Sequence, residues 1–351
     1  MWKRIVKKIT DWQQWPFYLF YSPLSFAWAG LYLKSRSLWY FTASNPTLSL
    51  GGFEGEAKTE MYRQLPGHLC PRTVIVEPAS PFATVVQQVA QKGLTYPFIV
   101  KPDVGMKGIM FRKIEREEHL RQYHERMPAT YLVQEFLDTP YEVSVFYCRQ
   151  PGKERGEITA MIQKNLLEVK GDGRSTLEEL ITCSPEAARW LERMRREQGS
   201  QLSAVLAEGE RYRLSHVANL INGAHFTNLT KRVNERLVHL FDEISRASQF
   251  YYGRYDIKCH SIEDMLEGRN FYILEFNGAG SVPNHIYTGD FTLLGAYKEI
   301  LRHWKALYTI SKANREKGIE YWGLKKGYTF LQNSKRHFDV LKKLDKELVL
   351  T

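Results

Sequence analysis

Gly253-Arg254-Tyr255-Asp256-Ile257-Lys258 and Leu274-Glu275-Phe276-Asn277-Gly278 are the stretches that decide how this chain is read. Glu275 closes the apolar run Phe271-Tyr272-Ile273-Leu274, which has the makeup of a buried strand. A carboxylate there is costly unless something cationic meets it. Side chains alternate faces along a strand, so Glu275 and Asn277 point the same way. Arg254, Asp256 and Lys258 share one face of the earlier strand by the same rule. The link from Cys259 to Asn270 ends in the turn-like Glu267-Gly268-Arg269-Asn270. A hairpin centred near residue 265 sets Asp256 opposite Leu274 and Glu275. Facing Cβ atoms lie roughly 4.5–5.5 Å apart in such a pair, and like charges there repel. A hard cation removes the conflict, and three oxygen ligands with open positions for phosphate suit Mg²⁺. Pairing of the acids with Arg254 or Lys258 removes it equally well, so the hairpin alone leaves both readings open.

The chain has 351 residues, enough for two or three packed units of roughly 100–150 residues. Hydrophobic residues make up 43% and charged residues 25%, which excludes a disordered or collagen-like chain. Cys70, Cys148, Cys183 and Cys259 are scattered with no CxxC pair, so neither zinc nor a dithiol motif is indicated. Free thiols in a reducing cytoplasm are the expectation. The net charge is +10, and much of the excess lies beyond residue 297. That surplus favours anionic partners such as nucleotides, acidic metabolites or anionic lipid, although solvated helix faces account for it equally. No zinc-finger spacing, helix-turn-helix signal or aromatic RNA-binding motif points to nucleic acid.

The N-terminus raises a membrane question. Lys3, Arg4, Lys7 and Lys8 are basic, and no charged residue occurs from Trp12 to Leu33. That run is about long enough to span a bilayer. Pro16, Pro23, Gln13 and Gln14 argue against spanning, and its Trp and Tyr residues favour an interface. No small-residue cleavage site marks a signal peptide. Three readings stay open, in falling order of weight: a buried hydrophobic arm, an interfacial hairpin on the inner membrane face, and a true span. A cytoplasmic protein is expected, with the inner face of the membrane as its contact surface under the second reading.

Further along, strands are expected at 73–76, 96–101, 109–114, 131–137, 141–148 and 157–163. Helices are expected at 59–65, 82–92, 115–126, 186–196 and 231–248. Thr176 and Glu179 form a capping box for a helix reaching about Thr182. The series lacks a regular βαβα rhythm, which favours an α+β fold. Lys101-Pro102-Asp103-Val104-Gly105-Met106-Lys107-Gly108 sits between two expected strands. A lysine at a strand end followed by glycines can hold phosphates through its ammonium and through approachable backbone N–H groups. It is neither a Walker loop nor a Rossmann loop, and a tight hairpin with Lys107 exposed fits it as well. The strand end Gln134-Glu135-Phe136-Leu137 can offer backbone groups to an adenine edge, and Glu142 can accept from ribose hydroxyls. A surface glutamate beside Pro140 needs no ligand either.

Taken in order, Lys58, Lys101 with its glycine loop, Gln134 to Leu137 with Glu142, Arg254 with Asp256, then Glu275 and Asn277 resemble the ATP-grasp superfamily. Within it the chain is similar to D-alanine–D-alanine ligase-like carboxylate–amine ligases. The resemblance covers about residues 55–300 and rests on Val100-Lys101-Pro102, Val133-Gln134-Glu135-Phe136, Gly253-Arg254-Tyr255-Asp256 and Glu275-Phe276-Asn277. Gly171-Asp172-Gly173-Arg174-Ser175-Thr176-Leu177 resembles a segment of cyanophycin synthetase-like members. The resemblance implies two α+β lobes clamping ATP: a central lobe at 67–155 and a C-terminal lobe with the metal site at 156–310. An aromatic arm (1–66) precedes them and a basic helical tail (311–351) follows.

By residue, the resemblance implies that Lys101, Lys58, Gly105 and Gly108 meet phosphates. Gln134, Glu135, Phe136 and Leu137 bracket the adenine, and Glu142 holds the ribose. Asp256, Glu275 and Asn277 hold two Mg²⁺ ions, with Mn²⁺ as a substitute. Arg254 stabilises charge on an acyl intermediate, and Lys164 sits where a γ-phosphate lysine belongs. Asn219 or Asn222 would contact triphosphate or substrate. The implied activity is amide formation between small-molecule carboxylate and amine substrates through an acylphosphate, releasing ADP and phosphate. A small-molecule kinase and a non-catalytic, membrane-associated nucleotide-binding protein are the alternatives. Two departures bear on substrate. Gly278-Ala279-Gly280-Ser281-Val282-Pro283 replaces the family's Thr-Pro-Gly turn, and the aromatic arm replaces its usual N-terminal α/β domain.

Overall fold

The computed structural model describes residues 12–185, 187–214, 223–348 and 350. Expectations for Lys3, Arg4, Lys7, Lys8, Asn219 and Asn222 lie outside these residues. An antiparallel sheet is built from β1 (Thr73–Val76), β2 (Phe98–Pro102), β3 (Arg112–Ile114) and β4 (Tyr131–Glu135), in the order β1-β4-β2-β3. Its Val74, Val76, Phe98, Val100, Tyr131 and Val133 pack on Val85, Val89, Leu120 and Tyr123 of the helices Phe82–Gln91 and Glu117–Arg126. Alternation therefore turns Thr73, Ile99, Lys101, Leu132 and Gln134 to the opposite face. β3 is shorter than expected because Lys107 (φ 54°) and Met110 (φ 57°) take left-handed turn conformations.

A second antiparallel sheet takes in β5 (Tyr141–Cys148), which the expected boundary at 155 groups with the first strands, and β6 (Glu157–Asn165). A separate ribbon follows, made of β7 (Glu168–Lys170) and β8 (Arg211–Arg213). Then come β9 (His225–Asn228), β10 (Tyr252–Cys259) and β11 (Phe271–Asn277). The main sheet runs β11-β10-β5-β6-β9, with every neighbour antiparallel. Val143, Val145, Tyr255, Ile257, Ile273 and Phe276 bury one face against Leu237, Phe241 and Ile244 of helix Glu235–Ser248. The Asn234 side chain caps that helix by accepting from the Leu237 N–H at 2.8 Å. The Thr176–Glu179 capping box is formed as expected.

The link from β10 to β11 is more than a turn. Ser261 caps a short helix, Ile262–Leu266, by accepting from Asp264 N at 3.0 Å. Gly268 (φ 74°) and Asn270 (φ 52°) then turn the chain back. Ile257 pairs with Ile273 and Asp256 with Glu275, so Leu274 is an extra residue on β11. This bulge corrects the expectation that Asp256 sits opposite both Leu274 and Glu275.

The basic C-terminal stretch is helical, as expected, and it is packed. Residue 311 falls within helix Leu293–Glu316, and helix Leu324–Glu347 follows. Leu341 and Leu348 enter the core of the first sheet. Asp345 Oδ1 accepts from Met110 N at 2.7 Å and from Arg112 Nη1 at 2.9 Å, and His337 Nε2 lies 2.8 Å from Val104 O. The second helix thus flanks the loop after Lys101.

The aromatic arm carries the short helices Phe17–Tyr21 and Ser25–Ser35. Trp12, Phe20 and Leu24 pack on Ile286, Ala296 and Ile300, and the Trp28 ring lies 4.7 Å from that of Trp304. Asn45 is fully buried and ties the arm to β10: its Nδ2 donates to Gly51 O and Tyr252 O at 2.9 Å each, and its Oδ1 accepts from Tyr251 N and Tyr252 N. Two backbone bonds, Ala279 N to Gly51 O (3.0 Å) and Gly280 N to Gly52 O (3.2 Å), lay the arm beside the segment after Asn277. A Cβ on Gly280 would stand 2.0 Å from Phe53 O, so this approach requires glycine. Among the described residues no helix is long and apolar enough to cross a membrane.

Candidate active site

One face of the second sheet carries charges in cross-strand register. Glu275, Asp256 and Ser144 form one row across β11, β10 and β5. Lys258, Glu142 and Lys164 form another across β10, β5 and β6, and Asn277 beside Arg254 begins a third. Asp256 is the hub. Lys164 Nζ lies 3.1 Å and Arg254 Nε 3.1 Å from its Oδ1, and Ser144 Oγ donates to the same oxygen. Arg254 Nη2 and Asn277 Nδ2 donate to Oδ2 at 3.2 and 3.3 Å. Lys164 Nζ also bonds Glu142 Oε1 at 2.9 Å. Arg254 reaches on to Asn284: with the amide turned so that its nitrogen donates to Val282 O, its oxygen accepts from Arg254 Nη1 at 2.8 Å. Burial opposes ionisation of Asp256, but Arg254 and Lys164 outweigh it and hold its carboxyl below the usual range. The metal and ion-pair readings therefore share the same atoms: two cationic side chains occupy the carboxylate at which an ion would bind.

A short helix, Lys58–Tyr62, brings Lys58 to this face. Asp103, two residues past Lys101, receives the start of that helix. Its carboxylate accepts from Thr59 N and Thr59 Oγ1 at 2.8 Å each, and its backbone O accepts from Lys58 N at 3.1 Å. Lys58 Nζ then donates to Gly105 O at 3.0 Å and stands 3.6 Å from Glu275 Oε1. One turn on, the Tyr62 hydroxyl donates to Leu274 O at 2.7 Å. It accepts from Gln134 Nε2 at 3.0 Å and from Lys101 Nζ at 3.3 Å. The β11 bulge presents Leu274 O to this tyrosine, so the two sheets meet where the lysines and the acids converge. Gln134 is fully buried, and its Oε1 has no partner among the described residues.

The expected adenine segment is divided between two tasks. Glu135 is engaged by Arg72, whose backbone N and side-chain Nε each donate to its carboxylate at 2.8 Å. Leu137 O accepts from Lys258 Nζ at 2.9 Å and so ties the strand end to the second sheet. Phe136 lies between two ammonium groups, Lys113 Nζ at 5.2 Å and Lys258 Nζ at 6.0 Å from its ring centre. Gly108 (φ 78°) follows Lys107 in the turn after Gly105.

Burial, reinforced by the Lys58 charge, lowers the Lys101 pKa from 10.5 to about 7, against the pull of Glu275 and Asp103. Phosphate binds the protonated lysine. Nucleotide binding should therefore take up a proton, and affinity should fall by up to about tenfold per pH unit above about 7. Calorimetric titration in buffers of different ionisation enthalpy measures that proton; an affinity and heat that ignore pH and buffer would remove Lys101 from phosphate binding.

Four contributors were not singled out from sequence. Ser144 shares a strand face with Glu142, and Tyr62 lies four residues after Lys58 on one helix face, so periodicity alone could have found both. Asp103 acts through a long-range cap that no local signal marks. Glu56 has its pKa raised to about 7, by burial first and then by Glu275, with Lys58 opposing. Among the described residues no group of three or more His, Cys, Asp or Glu side chains is gathered for a metal. The donor set here is two facing carboxylates and an amide, which suits an ion that takes its remaining ligands from phosphate and water.

No family model matches the sequence, and no curated protein does. Solved structures similar to it include a bifunctional glutathione synthetase from Pasteurella multocida (15% identity, TM-score 0.41, 70% of this chain and 36% of that one). The VanG D-Ala:D-Ser ligase from Enterococcus faecalis is 12% identical, with a TM-score of 0.42 over 74% of this chain and 62% of that one. A D-alanine–D-alanine ligase from Bacillus anthracis is 11% identical, with a TM-score of 0.40 over 74% and 68%. The chain thus spans 36%, 62% and 68% of the lengths of these proteins. At such distance what the chain does must be read from its own side chains.

Proposed function

We propose that this protein is an ATP-dependent carboxylate–amine ligase of the ATP-grasp type. One observation carries the reading. Lys58, from the element that also positions Lys101, reaches across to Glu275, which faces Asp256 in the opposing sheet. Lys58 thus links the Lys101 side of the structure to a pair of facing carboxylates, which is the charge pattern a triphosphate with its divalent ions requires.

In this reading Lys101, Lys58 and the backbone at Gly105 and Gly108 hold phosphates. Gln134 to Leu137 receive the adenine, for which the unpartnered Gln134 Oε1 is an acceptor, and Glu142 holds the ribose. Asp256, Glu275 and Asn277 would hold Mg²⁺, which supplies charge neutralisation at the phosphates when bound. A substrate carboxylate oxygen attacks the γ-phosphorus, and the bond to the ADP oxygen breaks. The resulting acylphosphate is attacked by an amine nitrogen; the amine loses a proton, phosphate departs, and an amide remains. Arg254 and Lys164, released from Asp256 as ligands arrive, carry the charge that develops on the transferred and acyl groups. Positioning and neutralisation supply the rate, with no covalent help from the chain. A screen of amino acids and dipeptides for phosphate release, with the product identified by mass, tests the proposal. ADP, free phosphate and an amide are expected. A stable phosphorylated product would make it a kinase, and binding without turnover would make it non-catalytic.

A further inference from the structure

We propose that the outer face of the aromatic arm docks on an anionic phospholipid bilayer. Helix Ser25–Ser35 turns Trp28 and Leu31 inward, toward helix Leu293–Glu316 and the segment around Tyr40. Its other side is apolar too. Phe26 is 84% exposed and Leu33 80%, seven residues apart and so on one stripe. The preceding helix adds Phe17 at 64%, Tyr18 at 85% and Leu19 at 53%. Apolar and aromatic side chains at this exposure on two consecutive helices are rare on a surface that meets only water.

The charge pattern selects the occupant. From Trp12 to Phe53 the chain has no acidic residue, and its basic residues there, Lys34 and Arg36, are both exposed at the end of the apolar helix. Residues 1–53 hold Lys3, Arg4, Lys7, Lys8, Lys34 and Arg36 against Asp11 alone. An apolar, aromatic face bordered by cations fits a bilayer interface: rings insert at headgroup depth and ammonium groups meet lipid phosphates. A protein partner or a second copy would have to supply acids to this border, and the arm itself offers none between Trp12 and Phe53. Because Gly51 and Gly52 bond Ala279 and Gly280, docking through the arm sets the segment after Asn277 at a fixed relation to the membrane.

Flotation of the full chain with vesicles tests this. Binding is expected to phosphatidylcholine vesicles that contain phosphatidylglycerol. It should weaken at least about tenfold on phosphatidylcholine alone or in high salt. Phe26→Ser with Leu33→Ser should lower partitioning about tenfold or more. Lys34→Glu with Arg36→Glu should weaken the preference for the anionic lipid severalfold. Both pairs are exposed, and circular dichroism checks that each variant folds. Failure of the parent chain to float would overturn the proposal. So would variants that bind as the parent does, or a dimer in sedimentation that the same substitutions dissolve.

Discussion

Asp256→Asn should abolish magnesium-dependent ADP release and should also weaken the fold. The carboxylate receives Lys164, Arg254, Ser144 and Asn277. An amide keeps the shape but leaves Lys164 and Arg254 facing a neutral group in a buried setting. Removing one partner from a buried charge network typically costs about 3–5 kcal/mol. Glu142 still meets Lys164 at 2.9 Å and softens the loss. Turnover should fall by about 10²–10³ or more, the scale of one lost electrostatic contact in a transition state. Denaturant melts and coupled ADP assays read the two effects separately. Glu275→Gln provides the contrast. Its side chain is 38% exposed and meets one ammonium at 3.6 Å, so activity should collapse while stability moves by less than about 1 kcal/mol. Full activity in either variant would remove the metal site from the mechanism.

Lys101→Met should have effects of opposite sign on stability and on activity. A buried ammonium beside Lys58 is an expense to the fold, and methionine fills nearly the same volume without charge. Replacing buried ions by apolar groups is often stabilising by about 1–4 kcal/mol. The pH dependence follows from the lowered pKa. Between about 7 and 10.5 the folded chain holds fewer protons at this site than the unfolded chain, so the penalty grows as pH falls and is complete below about 7. The stabilisation of Lys101→Met should therefore be largest near neutrality and below, and should vanish toward pH 10.5. Nucleotide affinity or turnover should meanwhile drop by about 10²–10³. A variant that is less stable at all pH values would mean that the lysine is held by its partners rather than tolerated for a ligand.

The strands that carry the acids were legible because alternation and apolar runs are local signals. β5 spans 141–148 as expected, and Asp256 faces Glu275 as the hairpin required. The bulge at Leu274 was not legible, since it is fixed by Tyr62, which lies 212 residues earlier in the chain. The pairing of Arg254 with Asp256 follows from their spacing on one strand, but the approach of Lys164 depends on registers across β10, β5 and β6, which no spacing within one segment encodes. The arm beside Gly278–Gly280 was equally hidden. Glycines at 51, 52, 278 and 280 signal close approach, but only the folded chain shows that they approach each other. Helices within residues 12–35 have two faces, one packed on helix Leu293–Glu316 and one apolar and exposed, and no local pattern separated the two.

The central claim is that one cleft takes a triphosphate on Lys58 and Lys101 and its metal on Asp256, Glu275 and Asn277. Calorimetric titration of the full chain with a non-hydrolysable ATP analogue, with and without magnesium, tests it most directly. Saturable binding that strengthens with magnesium in the parent chain, and that loses this strengthening in Glu275→Gln, is the predicted result. A folded parent chain that binds no nucleotide, or binds it equally well without magnesium and in Glu275→Gln, would contradict the claim.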